Sequence, residues 1–543
     1  HFAELASQSW WFPRATSTHP QTQFAVPAIL TGKLPDENKQ FPSYKDHPRN
    51  LFTMLGSSYS MNVKETLTSL CPDSLCKAEG RGFNDKLFAS DILVVIGHSL
   101  LPRAFAAELL PPLDAGWNGF ARTAAAKVDA PDNESGDAAE QQLIKAFGEQ
   151  ANRSRLDSFR DFISKSGAGK RHLDFLHVLL PHQPYEFLPS GTIYSGGPDI
   201  GFSNDTWVDD QNLVNLAYHR YMMQVGLVDT LIGELIAHLK RSGVYDSALI
   251  IVTGDHGRAF HPGMHSRAIT QSNGDLLHIP LLIKMPGQKD GAISDILVSN
   301  MDILPTIAEA LGIETQWDFD GESVFAKERQ TDTSLHVSFK GENFIFDRNE
   351  IVRRPLLKWQ SETFPSSRSV SELFISSPYS DLVGKNISSF EIGADIVIAA
   401  PFLKANLSAF ANIDLKRGFL PALLQSEIEG AGASSSTWVA LALNNRIVAV
   451  TPVYQAENGR KSLASLLPES AFRQGNNHLS AFFIEGSSQA PRLIPIMTNS
   501  ETYTVDNGGS LLKSSGGKTY IVEERIKFGS VDKVIHNGSS LTL

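Results

Sequence analysis

The sequence predicts an α/β protein whose mostly parallel sheet is covered by helices on both faces, followed by a β-rich region. Three apolar runs, 173–180, 249–253 and 278–284, are flanked by polar residues, as buried parallel strands are. Between the first two, apolar residues recur three and four positions apart over 213–241, the pattern of a helix with one buried face. After residue 385, hairpin signals replace this alternation.

Both predicted helices have recognisable ends. The first stops at Arg241, Ser242 and Gly243, where basic residues and a glycine favour termination. A second helix, 302–311, has Pro305 in its first turn and Gly312 after its last. In such alternating folds, ligands bind beyond the carboxyl ends of the strands.

The later part of the chain has a different character. Residues 361–381 are rich in serine and proline, which is typical of a connection between domains. Two β runs flank Asn444 and Asn445, a hairpin signal, and 480–484 and 519–523 are further strand candidates. We expect an α/β domain over 1–345, a connection over 346–384 and a β-rich accessory region over 385–543, built as a sandwich.

Composition excludes several classes of function. The 543 residues include 48 basic and 59 acidic side chains, a net charge of −11. This balance argues against binding to nucleic acid or to an anionic membrane surface, because no excess positive charge can displace counterions. No continuous run reaches the ~18–20 apolar residues of a membrane span. Local cations can still bind a small anionic substrate.

The two cysteines, Cys71 and Cys76, are too few to complete a structural zinc site by themselves. A short-loop disulfide between them would place the protein outside the reducing cytosol, and two reduced thiols are the alternative.

The sequence Thr253-Gly254-Asp255-His256-Gly257 follows a predicted buried strand. A carboxylate and an imidazole at the carboxyl edge of a sheet can face one metal ion, and this pair suits Zn²⁺ or Mn²⁺. Gly257 permits close backbone approach. The alternative is an ordinary polar turn.

Thr22 is predicted to lie where an apolar helix begins, and unpaired N–H groups at such a position stabilise an anion. A threonine hydroxyl becomes a nucleophile when a metal or a base lowers its pKa. The alternative is that Thr22 only caps the helix. Thr16, Ser17 and Thr18 are nearby competitors.

A second group of candidates surrounds these residues. His182 lies between prolines on a loop after a strand, which suits it to orient or protonate a substrate oxygen. Arg267 can hold a tetrahedral oxyanion with its N–H groups. His278 and the cluster of Arg258, His261, His265 and Arg267 complete the candidate substrate site. A solvated polar loop is the alternative for each residue of that cluster.

In this order, the motifs resemble the sulfatase-like branch of the alkaline phosphatase superfamily. The resemblance covers about residues 1–345: a nucleophile ten residues before Gly32, the Pro-His-x-Pro loop at His182, a long helix with Asp229, the Gly-Asp-His-Gly turn, and His278 before Ile-Pro-Leu. It implies a three-layer αβα fold and a catalytic role for the α/β domain.

The nucleophile position departs from the sulfatase pattern. Sulfatases convert a Cys or Ser within Cys/Ser-x-Pro-x-Arg to formylglycine, and the corresponding positions here are Thr22, Phe24 and Val26. A Thr followed five residues later by a Pro, here Thr22 and Pro27, instead resembles the phosphoethanolamine transferases and lipoteichoic acid synthases, which use a metal-bound Thr. The resemblance implies that Thr22, Asp255 and His256 bind one divalent metal, with Zn²⁺ or Mn²⁺ preferred over Ca²⁺ or Mg²⁺, and that His182 and His278 line the substrate pocket.

The family also has a carboxylate metal ligand at the end of a first strand, ahead of the nucleophile. This chain starts at His1, within what resembles the following helix, so we expect that strand, and membrane-spanning helices before it, to lie upstream. The expected protein is extracytoplasmic and anchored in the membrane.

These features predict an enzyme, a metal-dependent hydrolase or transferase of phosphate or sulfate esters with Thr22 as nucleophile and His182 as proton donor. Its expected partners are a small anionic ester or an envelope lipid or glycan, and not nucleic acid. Two alternatives are a sulfuric ester hydrolase without formylglycine and a catalytically silent domain that binds a glycan or a protein.

Overall fold

The computed structural model describes residues 1–38, 42–76, 155–194, 200–203, 205–269, 274–329, 333–339, 341–347, 379–393, 402–404, 407–429, 437–456, 459–498, 501–505, 511–515 and 518–523. The chain divides into two compact units. One comprises His1–Pro42, Thr66–Thr68 and Leu179–Leu543, and the other Ser43–Glu65 and Ser69–Val178. All the predicted site residues except the cysteines lie in the first unit. This division does not test the predicted boundary near residue 345, which stays a prediction.

Helices of the described chain are short apart from one. They are α1 (Phe2–Ala6), α2 (Thr22–Thr31), α3 (Leu51–Leu55), α4 (Gln211–Arg241), α5 (Gly274–Leu277) and α6 (Ile303–Ala310). Residues 155–165 are also helical. Short 3₁₀ turns cover Gly56–Ser58, Tyr245–Ser247, Asn300–Asp302, Ser380–Leu382, Ile387–Ser389, Leu407–Phe410 and Glu469–Ala471.

The strands that precede residue 350 are β1 (Trp10–Trp11), β2 (Ala15–Thr16), β3 (Ser60–Lys64), β4 (His172–Leu176), β5 (Ile193–Tyr194), β6 (Phe202–Ser203), β7 (Thr206–Trp207), β8 (Ile250–Thr253), β9 (Leu281–Lys284), β10 (Ala292–Ile293), β11 (Val298–Ser299), β12 (Ser334–Phe339) and β13 (Glu342–Asp347). Those that follow are β14 (Glu391–Ile392), β15 (Phe402–Lys404), β16 (Phe419–Leu420), β17 (Leu423–Glu429), β18 (Trp438–Leu443), β19 (Arg446–Gln455), β20 (Lys461–Leu466), β21 (Leu479–Ser487), β22 (Ala490–Thr498), β23 (Glu501–Val505), β24 (Leu511–Ser515) and β25 (Lys518–Glu523).

The α/β class is confirmed. In the first unit, a four-stranded sheet has the order β10-β1-β9-β8, and β2 pairs in parallel with β11. In the second unit, β3 and β4 form a parallel pair. The first sheet packs its apolar side chains, among them Phe12, Leu281 and Ile283, against Ile303 of α6.

One expected parallel pair is antiparallel. The run after His278 pairs as β9 with β8, Ile251 opposite Ile283, in the antiparallel sense. A parallel pair needs a crossover of a dozen or more residues, usually a helix. The described chain between these strands contains only the four-residue helix α5, and it turns back instead of crossing over.

The β-rich region is confirmed, but among its described residues the main sheet closes on itself where a sandwich was predicted, and β23, β24 and β25 form a separate three-stranded sheet. Its strand pairings run β15-β17-β20-β19-β18-β21-β22 and return to β15, with β14 beside β22. A closed circuit of this kind leaves few unpaired edges. The hairpin at Asn444 and Asn445 is confirmed: both residues have positive φ, 54° and 67°, as a two-residue hairpin turn requires.

The β-rich region packs against the α/β part of the same unit. Its buried core includes Leu441 and Leu463 together with Leu188, Tyr194 and Met223 from the earlier chain. In addition, β16 pairs in parallel with β5.

Helix α4 is longer than the predicted 213–241 by two residues, and Asp210 caps it by accepting the N–H groups of Asn212 and Leu213. An 18-residue stretch of it has a mean hydropathy of 1.3, and it is, within the described chain, the one helix long and apolar enough for a membrane span. Core helices meet the same criterion, and α4 buries the polar residues His219, Arg220 and Gln224 inside the protein.

Candidate active site

Thr22 is the first residue of α2, and its side chain faces His256. The cap residue of α2 is Gln21, in an extended conformation, so Thr22 does not act as the helix cap. The Thr22 Oγ1 lies 3.3 Å from the Nε2 of His256. The fold therefore joins two residues 234 positions apart in the chain.

The neighbouring hydroxyl groups, which the sequence offers as competitors of Thr22, donate hydrogen bonds to other parts of the protein. Thr16, Ser17 and Thr18 are each at most 1% exposed. Their hydroxyls donate to the carbonyls of Val298 and His19 and to the side chain of Asn300, respectively. Among the candidate hydroxyls, Thr22 is the one placed at the imidazole.

His256 presents an unprotonated nitrogen to Thr22. Its Nδ1 lies 2.7 Å from the carbonyl oxygen of Gly257, which can only accept a hydrogen bond, so Nδ1 carries the proton. Burial, and to a smaller extent Arg267, lowers the pKa of His256, while Asp255 opposes this. At neutral pH the Nε2 therefore offers a lone pair.

Asp255 lies beside the same nitrogen. Its Oδ2 is 3.5 Å from the His256 Nε2, and its Oδ1 accepts the backbone N–H of His256 at 2.9 Å. Position 257, directly after His256, must be glycine, because a Cβ there would lie 1.8 Å from the carbonyl oxygen of Asp275. The predicted close backbone approach is thus present in the structure.

Arg267 brings positive charge to this group. Its Nη1 donates to the carbonyl oxygen of Pro20 and lies 3.4 Å from the His256 Nε2. Its backbone N–H donates to the Nδ1 of His265 at 3.1 Å, so His265 shapes the loop that carries Arg267. Burial lowers the pKa of the guanidinium, which nevertheless keeps its charge at neutral pH and can bind an oxyanion.

His182 is solvent-accessible on one side but has protein atoms around the rest of its ring. This desolvation, with smaller contributions from Arg267, Arg258 and His256, lowers its pKa to about 4. Its Nδ1 lies 2.6 Å from the carbonyl oxygen of Gln183 and so carries the proton. At neutral pH its Nε2 is therefore an acceptor of protons.

Two other predicted residues have different surroundings. His261 pairs with the carboxylate of Asp275, Nε2 to Oδ2 3.3 Å, and this interaction raises its pKa. His278 forms an isolated β-bridge with Thr16, and its backbone N–H donates to Gly274. The fold brings Thr22, Asp255, His256 and Arg267 together, whereas the contact found for His261 is with Asp275.

Sequence reasoning missed His19 and Glu37. The fully buried His19 accepts the Gln21 N–H on its Nδ1, 3.1 Å, and donates from Nε2 to Glu37 Oε1, 3.2 Å. The pair fixes the backbone directly ahead of Thr22. The available signal was a histidine three residues before Thr22.

The donors at Thr22 fit part of a divalent-metal site. Thr22 Oγ1, His256 Nε2 and Asp255 Oδ2 lie close together. A histidine that donates its other nitrogen to a carbonyl, as His256 does to Gly257, is typical of metal ligands. Within the described ranges, no group of three or more His, Cys, Asp or Glu side chains is arranged to hold a metal.

The predicted disulfide is present in the second unit. Cys71 and Cys76 are bonded, with Cα atoms 6.0 Å apart. Glu65 accepts the backbone N–H groups of Leu70 and Cys71 and so holds the start of this short loop.

Curated relatives match part of the chain. The multifunctional alkaline phosphatase superfamily protein PehA of Trinickia caryophylli is 28% identical over 179 residues, which are 32% of this chain and 34% of PehA. Lipoteichoic acid synthase 1 of Bacillus subtilis is 26% identical over 133 residues, 23% of this chain and 20% of that protein. The chain thus spans about a third and a fifth of the length of these two relatives.

Solved structures give a weaker likeness. The phosphonate monoester hydrolase SpPMH from Silicibacter pomeroyi aligns over 60% of this chain and 70% of its own, with 20% identity and a TM-score of 0.35. The lipoteichoic acid synthase LtaP from Listeria monocytogenes aligns over 63% and 73%, with 14% identity and a TM-score of 0.35.

A family model described as Sulfatase matches residues 1–313, more than half of the chain and all of the segment that carries Thr22, His182, Asp255, His256 and Arg267. The chain belongs to the sulfatase family.

Proposed function

We propose that the protein is a metal-dependent hydrolase or transferase of phosphate or sulfate esters with Thr22 as its nucleophile. The observation that carries the proposal is the 3.3 Å distance between Thr22 Oγ1 and the Nε2 of His256. Phe24 and Val26 occupy the positions that formylglycine maturation requires to be Pro and Arg, which supports a hydroxyl nucleophile.

Thr22, Asp255 and His256 are the residues that would hold the metal, with Zn²⁺ and Mn²⁺ preferred by an oxygen and imidazole donor set. When bound, the ion would supply Lewis acidity and lower the pKa of the threonine hydroxyl.

The remaining chemistry falls to the chain itself. The Oγ of Thr22 forms a bond to phosphorus or sulfur while the bond from that atom to the leaving oxygen breaks. The guanidinium of Arg267 and the first N–H groups of α2 stabilise the charge on the other ester oxygens. His182, unprotonated on Nε2 at neutral pH, takes the proton from the attacking hydroxyl and returns it to the leaving oxygen.

The same steps in reverse complete the cycle. Water attacks the covalent intermediate in a hydrolase, and an acceptor alcohol attacks it in a transferase. His182 removes the proton of the attacking group, and Thr22 leaves with its oxygen and regains a proton. We assign His182 both steps because a neutral imidazole must first take up a proton before it can serve as the predicted proton donor.

We propose an anionic ester of the cell envelope as the substrate. Support comes from the partial match to a lipoteichoic acid synthase and from the Cys71–Cys76 disulfide, since disulfides persist outside the reducing cytosol. An extracytoplasmic, membrane-anchored full-length protein fits both.

The test compares hydrolysis of bis(p-nitrophenyl) phosphate and p-nitrophenyl sulfate, each with added Mn²⁺ or Zn²⁺. Thr22→Ala should lower turnover by at least about 10³-fold, and Thr22→Ser should retain part of it. Mass spectrometry of quenched protein should locate the transferred group on Thr22.

Gln23→Ala, an exposed change next to the nucleophile, is the matched control. Unchanged turnover by Thr22→Ala would show that Thr22 is not the nucleophile and would reject the proposal. Turnover of the sulfate ester alone would identify a sulfuric ester hydrolase without formylglycine.

A further inference from the structure

Two buried polar side chains of α4 reach the loop that carries His182. Arg220 is 1% exposed and Gln224 is not exposed at all. They are four residues apart, so one face of the helix presents both. Loop 181–186 has backbone groups that no regular helix or sheet pairs, and buried groups of this kind need a partner.

Gln224 holds both ends of this loop. Its Nε2 donates to the carbonyl oxygens of Pro181, at 3.1 Å, and His182, at 2.9 Å. Its Oε1 accepts the backbone N–H of Glu186 at 3.1 Å. A single side chain therefore fixes the backbone of His182 itself and the residue four positions later.

Arg220 holds the middle of the loop and links it to the β-rich region. Its Nη2 donates to the carbonyl oxygen of Tyr185 at 2.8 Å, and its Nε donates to the phenol of Tyr194 at 3.2 Å. Tyr194 lies on β5, which pairs with β16, and its ring is buried in the core of the β-rich region. The contact thus runs from the accessory strands through Tyr194 and Arg220 to the loop.

Arg258 holds the loop at other atoms. Its Nη1 donates to the Oε1 of Gln183 and to the phenol of Tyr185, the latter at 3.0 Å. Its guanidinium lies 4.4 Å from the ring centroid of Phe202 and 5.1 Å from that of Trp207, which restrict its position. Both sides of His182 in the sequence are therefore fixed.

We propose that Arg220 and Gln224 are positioning residues for His182, and that the β-rich region takes part in catalysis by holding Arg220 through Tyr194. The inference rests on the proposed function, because it assigns these residues to the imidazole that moves the proton. Their polar groups bind the backbone of the loop and not the imidazole itself.

The test is a double-mutant cycle on bis(p-nitrophenyl) phosphate hydrolysis. Gln224→Met, which removes donor and acceptor at similar volume, should lower kcat/KM by about tenfold or more, chiefly through kcat. In a His182→Ala background, the same change should cost less than about twofold, because the imidazole it positions is gone. Equal losses in both backgrounds would mean a merely structural role and would overturn the inference.

Tyr194→Phe covers the case in which Gln224→Met does not fold, because it keeps the ring and removes the hydroxyl that accepts a hydrogen bond from Arg220. We expect it to lower kcat by a few-fold, again only when His182 is present. The matched control is Tyr454→Phe, another buried phenol where the β-rich region meets α4, which should leave turnover unchanged. If Tyr194→Phe and Tyr454→Phe lowered turnover equally, the contact between Tyr194 and Arg220 would have no special role.

A readout independent of turnover is the NMR titration of His182. Its pKa, about 4 in the intact protein, should rise toward the ordinary value in Gln224→Met and Tyr194→Phe as the loop is released to water. Unchanged titration in both variants would overturn the inference. The Thr22→Ala variant tests the proposed function separately. If it keeps full turnover, Thr22 is not the nucleophile, but the coupling measured between Gln224 and His182 still stands.

Discussion

The Nε2 of His19 donates to the Oε1 of Glu37 across 3.2 Å, and the Nδ1 of the same ring accepts the backbone N–H of Gln21. The pair fixes the turn from which α2 and Thr22 start. Burial lowers the pKa of His19 to about 4, although Glu37 opposes the shift. The position of Thr22 thus depends on a neutral, buried imidazole.

This imidazole should make the protein acid-sensitive. The folded-state pKa of His19 lies below the ordinary value of about 6.5, so the unfolded chain binds the proton first and stability falls as pH drops from about 6.5 to 4. The expected loss from His19 is about 2 kcal/mol between about pH 7 and 5. Urea titrations of wild type and His19→Asn should show a shallower pH dependence in the variant, and parallel curves would contradict this origin.

Gly257 should not tolerate a side chain. In Gly257→Ala the Cβ would overlap the carbonyl oxygen of Asp275, at 1.8 Å, so the backbone beside Asp255 and His256 must move. We expect a loss of about 3 kcal/mol in the free energy of unfolding, together with loss of turnover. The matched control is Gly254→Ala, whose Cβ would meet Pro280 Cδ at 3.4 Å and fits with little change. Equal stability of the two variants would show that the overlap is relieved.

His261 should act on stability in the opposite pH direction. The carboxylate of Asp275 beside it raises the folded-state pKa of His261, so the stabilisation is complete below the unfolded pKa of about 6.5 and disappears as pH rises through the folded value. Because the side chain is 35% exposed, the effect should stay below about 1 kcal/mol. Denaturation of wild type and His261→Gln should converge at alkaline pH. In an Asp275→Asn background the difference should not vary with pH, and persistent variation there would point to another partner.

Metal binding should depend on the pair at the sheet edge. Asp255→Asn and His256→Gln should each weaken Mn²⁺ affinity by at least about 100-fold, measured by calorimetry without any substrate. Asp295→Asn, an exposed carboxylate away from the described donors, is the control and should bind as wild type. Unchanged affinity in both site variants would place the metal elsewhere.

Local patterns were sufficient for much of the architecture. Apolar runs and helical spacing located β8, β9 and α4, and the Asn444–Asn445 pair located a hairpin, because burial and backbone preference act over a few residues. The same patterns did not reveal that β8 and β9 are antiparallel or that the β-rich strands close on themselves. Those features depend on which strand, distant in the sequence, pairs with the edge strand of each sheet.

The candidate site divides in the same way. The sequence by itself determined the residue types at Thr22, Asp255 and His256 and a glycine at position 257, since each belongs to a short motif. The carbonyl oxygen of Asp275, which the fold places beside that glycine, excludes any larger residue there. Tertiary structure decided that Thr22 meets His256, that Arg267 joins them, and that His261 pairs with Asp275. It also determined the hydrogen bonds of His19, Arg220 and Gln224, whose partners lie in other segments of the folded chain. Such polar contacts have no local periodicity, and only the completed fold, which must satisfy every buried donor and acceptor, selects them.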